Sequence, residues 1–127
     1  MSVPRILDAN ANRAREALRV MEDAARFVLD DETLAAELKS TRHELTAALA
    51  GFGGVASARD TPRDVGTRVT TGAERSRASV GVVVRAAGKR LGEALRAIEE
   101  YGKTIDATVA ARVEALRYAG YDLAQGL

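Results

Sequence analysis

The sequence predicts an all-α fold, two duplicated helical hairpins forming a four-helix arrangement with a long loop between the halves. Three observations lead there. Apolar residues recur at helical spacing, as in Ala14, Leu18, Met21, Ala25 and Val28, which step by four and three along one stripe. The apolar content is Ala, Leu and Val, with only 4% aromatics and no Trp, a composition that suits close-packed helices better than a sheet sandwich. A block of residues also returns in order, about 77 positions downstream.

The first helix is expected from Asp8, a good N-cap, to about Leu29. Asp30 and Asp31 then break the pattern and cap a second helix, roughly residues 32 to 50, which Gly51, Gly53 and Gly54 end. A third helix is expected over about residues 74 to 103, with a break near Ser79, and Asp106 caps a fourth that ends near Leu123. The connecting loop, about 20 residues, holds glycines, Pro62 and the polar run Arg59-Asp60-Thr61-Pro62-Arg63-Asp64-Val65-Gly66-Thr67. A short strand there stays open. The chain of 127 residues fits one domain, residues 1–127, with the repeat roughly over 8–51 and 79–127 and the linking loop over 52–73.

The repeat is specific. Arg13, Glu16, Ala17, Leu18, Arg19 and Glu22 return as Arg90, Glu93, Ala94, Leu95, Arg96 and Glu99, while Asp23 and Arg26 return conservatively as Glu100 and Lys103. In the following helices the offset falls to 75, so that Ala35, Ala36 and Arg42 match Ala110, Ala111 and Arg117, and His43 matches Tyr118. Two related hairpins side by side make a four-helix arrangement.

Composition excludes several classes. Nineteen basic residues against 18 acidic ones leave a net charge of +1, too little for a nucleic-acid partner, yet compatible with a local Arg cluster on a small phosphorylated ligand. No Cys is present, hence no disulfide frame and no thiolate metal site. Arg5 and Asp8 interrupt the opening segment before any apolar run, and the longest apolar stretch, around Val80 to Val84, is far too short to span a membrane; the expectation is a cytoplasmic protein. A di-iron carboxylate bundle needs Glu-x-x-His on two helices, which one histidine does not supply. Neither a Walker A sequence nor a Gly-x-Gly-x-x-Gly fingerprint occurs.

Candidate chemistry lies in two polar stripes and the loop. Asn12, Glu16, Arg19, Asp23 and Arg26 line one face of the first helix, and Lys89, Glu93, Arg96, Glu100 and Lys103 repeat it on the third. A solvated face laced with weak ion pairs is the plain reading of such stripes. Recurrence of the residue identities argues for more, because opposed stripes related by a pseudo-twofold axis enclose a charged cleft. In the loop, Arg59 and Arg63 suit phosphate, Asp60 and Asp64 suit Mg²⁺, and Gly66-Thr67 offer backbone N–H groups to an anion, although Asp-Thr-Pro and Asp-x-Gly are also ordinary turn chemistry. His43, matched by Tyr118, reads as a packing position rather than a base.

Asp8-Ala9-Asn10, Asn12-Arg13-Ala14, Leu18-Arg19-Val20, Glu22-Asp23 and Ala25-Arg26-Phe27, with Arg59 to Pro62 and Asp64 to Thr67, resemble one particular helical family. So do Lys89-Arg90, Glu93 to Arg96, Glu99 to Lys103 and Leu116-Arg117-Tyr118. It is the alternative hydroxymethylpyrimidine phosphate kinase domain of bacterial thiamin synthesis, often fused ahead of a thiamine phosphate synthase; the resemblance covers nearly the whole chain, which stops at Leu127 short of a synthase barrel and is expected to be either a stand-alone version or an excised domain. The resemblance implies ATP-dependent phosphorylation of 4-amino-5-hydroxymethyl-2-methylpyrimidine phosphate to the diphosphate, with ATP and Mg²⁺ and a small phosphorylated pyrimidine as substrate.

Residue chemistry then suggests roles. Arg13, Arg19, Arg90 and Arg96, with Lys89, Arg59 and Arg63, clamp phosphates, and Arg19 and Arg96 with Asp60 and Asp64 carry the transfer. Asp60, Asp64 and one of Asp23 or Glu100 hold the metal, while Asn10 or Asn12 reads the aminopyrimidine edge. The alternative is a non-catalytic binding or oligomerisation module associated with thiamine phosphate synthase. Whether the site lies within one chain or across a homodimer stays open.

Overall fold

A computed structural model describes residues 2–54, 61–63 and 79–127, and every structural statement here concerns those residues. Four helices form: α1 (Val3–Asp23), α2 (Glu32–Leu49), α3 (Val80–Gly102) and α4 (Ala107–Gln125). The architecture is the expected all-α one. Among the described residues there is no strand, and the described residues Thr61–Arg63 of the connecting segment form a 3₁₀ turn.

Local chemistry sets most of the boundaries. Asp31 caps α2 by accepting from the N–H of Leu34 at 2.9 Å, and Asp106 caps α4 by accepting from Thr108 at 2.9 Å and Val109 at 3.1 Å. Ser79 does the same for α3, accepting from Val82 at 3.3 Å. The expected break near Ser79 is therefore the start of α3, and residues 74 to 78 lie outside the described part. Asp8 is a correction. The first helix begins five residues earlier, with Pro4 in its first turn, where a missing N–H costs nothing, and Asp8 sits inside α1 at 4% exposure.

The two hairpins differ at their turns. The repeat offset falls from 77 to 75, so the first turn carries two more residues than the second. There α1 runs on into a widened π turn, Ala24–Val28, closed by the N–H of Asp31 on the carbonyl of Ala25 at 2.8 Å, with Asp30 in the left-handed region at φ +50°. This widening turns Phe27, Val28 and Leu29 outward, all of them exposed.

Each hairpin packs its two helices together, and across the interface each helix meets its own repeat copy, α1 against α3 and α2 against α4. That pattern is what a pseudo-twofold arrangement produces. Leu7, Leu18, Met21, Leu38, Leu45, Leu91, Leu95, Ile98 and Val113 fill the core. Ala11, Ala14 and Ala17 on α1, with Ala87 and Ala94 on α3, keep the central pair close.

Where the halves depart from one another, size is exchanged across the helix pair. In the first hairpin Arg15 reaches from α1 to the Thr46 hydroxyl at 3.3 Å. At the matching places in the second stand Gly92 and Tyr121, and a Cβ on Gly92 would lie 3.1 Å from the Tyr121 ring. A long side chain on the inner helix has become a long one on the outer helix. Glycine inside a helix costs roughly 1 kcal/mol against alanine, so Gly92 is retained for the ring it accommodates.

Candidate functional site

The site lies where the first half of α1 meets the middle of α3. A cleft of about 530 Å³ is lined by Asn10, Arg13, Ala86, Lys89, Arg90, Glu93 and Ala94. Arg13 and Arg90 occupy equivalent places in the repeat, so the pseudo-symmetry itself brings two guanidinium groups to one hollow, and Lys89 adds a third cation. Alanines at 86 and 94 leave the floor low. Arg13 is steadied by donating from Nη1 to Asn10 Oδ1 at 3.3 Å, and Asn10 is itself anchored by donating to the Ile6 carbonyl at 2.9 Å. Asn10 is buried, with both ends of its amide engaged. In this geometry it positions Arg13 and keeps one amide proton in reserve.

The other residues of the stripes lie elsewhere. Arg96 is exposed and pairs with Glu100 at 3.2 Å and Glu99 at 3.9 Å, in a shallow depression with Gly92, Glu93 and Tyr121. Arg19 and Asp23 are exposed on α1 and do not line the cleft. Asn12 accepts from Arg15 at 3.1 Å. Glu100 also accepts from Lys103 at 3.0 Å; that bond, with the Lys103 and Arg96 charges, holds its carboxyl below the usual glutamate range. Among the described residues, no three His, Asp or Glu side chains converge as a metal site. Arg63 is exposed in its 3₁₀ turn, whereas Arg59, Asp60, Asp64, Gly66 and Thr67 lie outside the described residues. His43 and Tyr118 are both exposed, which corrects the reading of a shared packing position; Arg117 lies over the Tyr118 ring at 4.8 Å.

Two features escaped the sequence reading. Glu93, placed on the polar stripe but given no role of its own, shares the cleft with three cations as the one carboxylate among the described lining residues. The recurrent Glu22 and Arg42 are an ion pair across the first hairpin at 3.4 Å, and their copies Glu99 and Arg117 pair across the second. The bond to Glu99 above all holds Arg117 well above the ordinary arginine range. The repeat carried the signal, since all four residues matched at their two offsets.

The cleft thus offers two guanidinium forks and an ammonium to an anion of phosphate size, in a partly open setting, with one carboxylate beside them. The sequence comparison now adds a family. A family model described as the ThiD2 family matches residues 5–126.

The chain belongs to the ThiD2 family.

Similar proteins include the thiamine-phosphate synthase of Rhodopirellula baltica, 50% identical over 94% of this chain and 32% of its own length. Those of Synechocystis and Nostoc punctiforme are 45% and 44% identical, over 99% and 98% of this chain and 36% and 35% of theirs. The ThiD2 chain therefore spans about a third of the length of these curated relatives. No solved structure matches it. Membership and relatives together associate the chain with thiamin biosynthesis. No helix among the described residues is long and apolar enough to cross a membrane.

Proposed function

We propose that this ThiD2 chain phosphorylates 4-amino-5-hydroxymethyl-2-methylpyrimidine phosphate to the diphosphate, using ATP and Mg²⁺, as a step of thiamin biosynthesis. The observation that carries the proposal is the convergence of Arg13, Lys89 and Arg90 on one cleft between the duplicated helices. Three cations in that arrangement match a reaction between two anions.

The nucleophile is a phosphate monoester, already carrying about −1.5 to −2 charge near neutrality. One of its oxygens attacks the γ-phosphorus of ATP; a new P–O bond forms as the bond to the β-phosphate oxygen breaks, and ADP leaves. No proton has to be removed first, which suits a site whose described residues include no buried histidine. Catalysis is then positioning and charge neutralisation, and cleft arginines supply both. The Mg²⁺ fits the donor set, because Glu93 places a carboxylate in the same cleft and Mg²⁺ commonly takes only one or two protein carboxylates beside substrate phosphates. Asp60 and Asp64, close by Arg63 in sequence, are the other proposed ligands. When bound, Mg²⁺ supplies charge neutralisation on the transferred phosphoryl group.

The proposal is tested by mixing the protein with ATP, Mg²⁺ and the pyrimidine monophosphate and following ADP release alongside the ³¹P signals of the diphosphate. A second reading, a docking module associated with thiamine-phosphate synthase, draws on the exposed Phe27, Val28 and Leu29 and on the greater length of the relatives. Thermal stabilisation by the pyrimidine phosphate without any ADP selects a non-catalytic binding module, and neither stabilisation nor ADP selects a purely structural one.

A further inference from the structure

Next to the charged cleft lies a larger hollow of a different character. It measures about 860 Å³, within the usual size of small-molecule pockets, and its walls are mostly apolar. Ala24 and Val28 at the end of the first helix, Val84 and Gly88 of α3, and Tyr121 and Ala124 of α4 form it. Lys89 borders both this hollow and the charged cleft, so the two compartments share one lysine side chain. Arg85 adds a second cation to the rim.

The hollow is a departure from the repeat rather than a by-product of it. Gly88 stands where the first half has the buried Ala11, and Tyr121 stands where it has Thr46. The corresponding end of the first half is closed by Phe52, whose ring packs against Gly102. In the second half Leu127 takes the Phe52 place and lines the hollow without closing it. Tyr121 is in turn kept in place from both sides: Gly92 makes room for its ring, and Arg117, fixed by Glu99, sits 5.9 Å from the ring centroid. A flat aromatic wall, apolar sides and a cation at the junction with a phosphate cleft are the surroundings that a nucleoside bearing phosphates requires.

We infer that this hollow is the nucleoside subsite, holding the base and sugar of the nucleotide while its phosphates pass Lys89 into the Arg13–Arg90 cleft. The inference rests on the phosphotransfer reading and adds to it where the nucleotide lies. The larger compartment takes the larger organic part, and the smaller, charged one takes the phosphates of both substrates.

The test uses the whole chain and Mg-ADP as probe. In a ¹⁵N–¹H spectrum, ADP should shift the amides of Val28, Val84, Gly88, Tyr121 and Ala124 most; shifts confined to other faces, or none, overturn the subsite. A Gly88→Leu variant, whose side chain would enter the hollow, should weaken ADP binding by calorimetry ~10-fold or more while its far-UV circular dichroism stays helical; undiminished binding overturns the subsite. In the kinase assay Gly88→Leu should raise the KM for ATP and leave that for the pyrimidine phosphate within about twofold. The reverse pattern places the pyrimidine ring in the hollow and overturns the assignment. ADP binding at the hollow in a protein that releases no ADP from ATP would retire the kinase reading and leave the subsite standing; turnover with Gly88→Leu unaffected would do the opposite.

Discussion

Glu99 and Arg117 form a two-pronged ion pair between α3 and α4, with Nε on Oε2 and Nη2 on Oε1, and both side chains lie in the interior at 1% and 11% exposure. Their repeat counterparts, Glu22 and Arg42, meet through one contact at 3.4 Å, at 16% and 18% exposure, and the Nε of Arg42 has no partner. One ancestral pair has thus been kept twice, with better geometry in the second hairpin, where it also fixes the Tyr121 wall.

Removing one partner of a buried pair leaves an uncompensated charge. Glu99→Ala should therefore cost ~3–5 kcal/mol of stability, and Glu22→Ala, partly solvated and singly bonded, about 1–2 kcal/mol. Urea titrations of the two variants decide the matter. Equal losses would show that the difference in geometry has no energetic consequence.

Gly102 marks the tightest approach in the second hairpin, because a Cβ there would lie 2.5 Å from the tip of the buried Phe52 ring. Gly102→Ala should destabilise by about 1–3 kcal/mol despite its better helix propensity. Adding Phe52→Leu should recover part of that loss. Gly81→Ala, with nothing nearer than 3.8 Å, should instead stabilise by ~0.5–1 kcal/mol.

For the charged cleft, Arg13→Ala and Arg90→Ala should each lower turnover ~100-fold or more while the far-UV circular dichroism stays helical. Arg19→Ala and Arg96→Ala lie off the cleft, so their effect should be smaller. Asn10→Ala should reduce turnover less than Arg13→Ala, since it removes a support and not a phosphate contact. The opposite ordering would move the site to the exposed faces of α1 and α3.

Selectivity provides a separate measurement. The pyrimidine monophosphate should be phosphorylated and the free hydroxymethylpyrimidine should not, because an alcohol must lose a proton to react. Comparable rates on both would mean that a base acts in the site, and His43→Gln is the variant to try first.

Glu100 titrates below an ordinary glutamate, its bond to Lys103 being the leading cause. A depressed folded-state pKa gives a stability contribution present above the unfolded value of about 4.3 and lost as pH falls through the lower folded value. The group is fully exposed, so the contribution is small and salt-sensitive. NMR titration should show the Glu100 carboxyl rising toward the ordinary value in Lys103→Ala; no change would assign the depression to Arg96.

Much of this was legible along the chain because it depends on neighbours in sequence. Asp31 and Asp106 cap their helices through hydrogen bonds to residues two or three ahead, and such contacts can be read from order alone. Asp8 misled for the same reason, having the right side chain for a cap and a position inside the core. The connecting segment, with its Arg and Asp residues, falls largely outside the described structure, so Asp60 and Asp64 keep only their sequence argument.

The sequence by itself determined four helices, the Asp31 and Asp106 caps and the duplication, because helix periodicity and capping act over a few residues. Only the tertiary structure decided which charges are interior pairs and which arginines share a cleft. That depends on how each helix is rotated about its axis when α1 meets α3, and the rotation follows from packing of alanines and leucines far apart in the chain. Arg13 and Arg19 look alike in the repeat and both are exposed, yet six residues along a helix put them about 120° apart, and only Arg13 borders the cleft against α3.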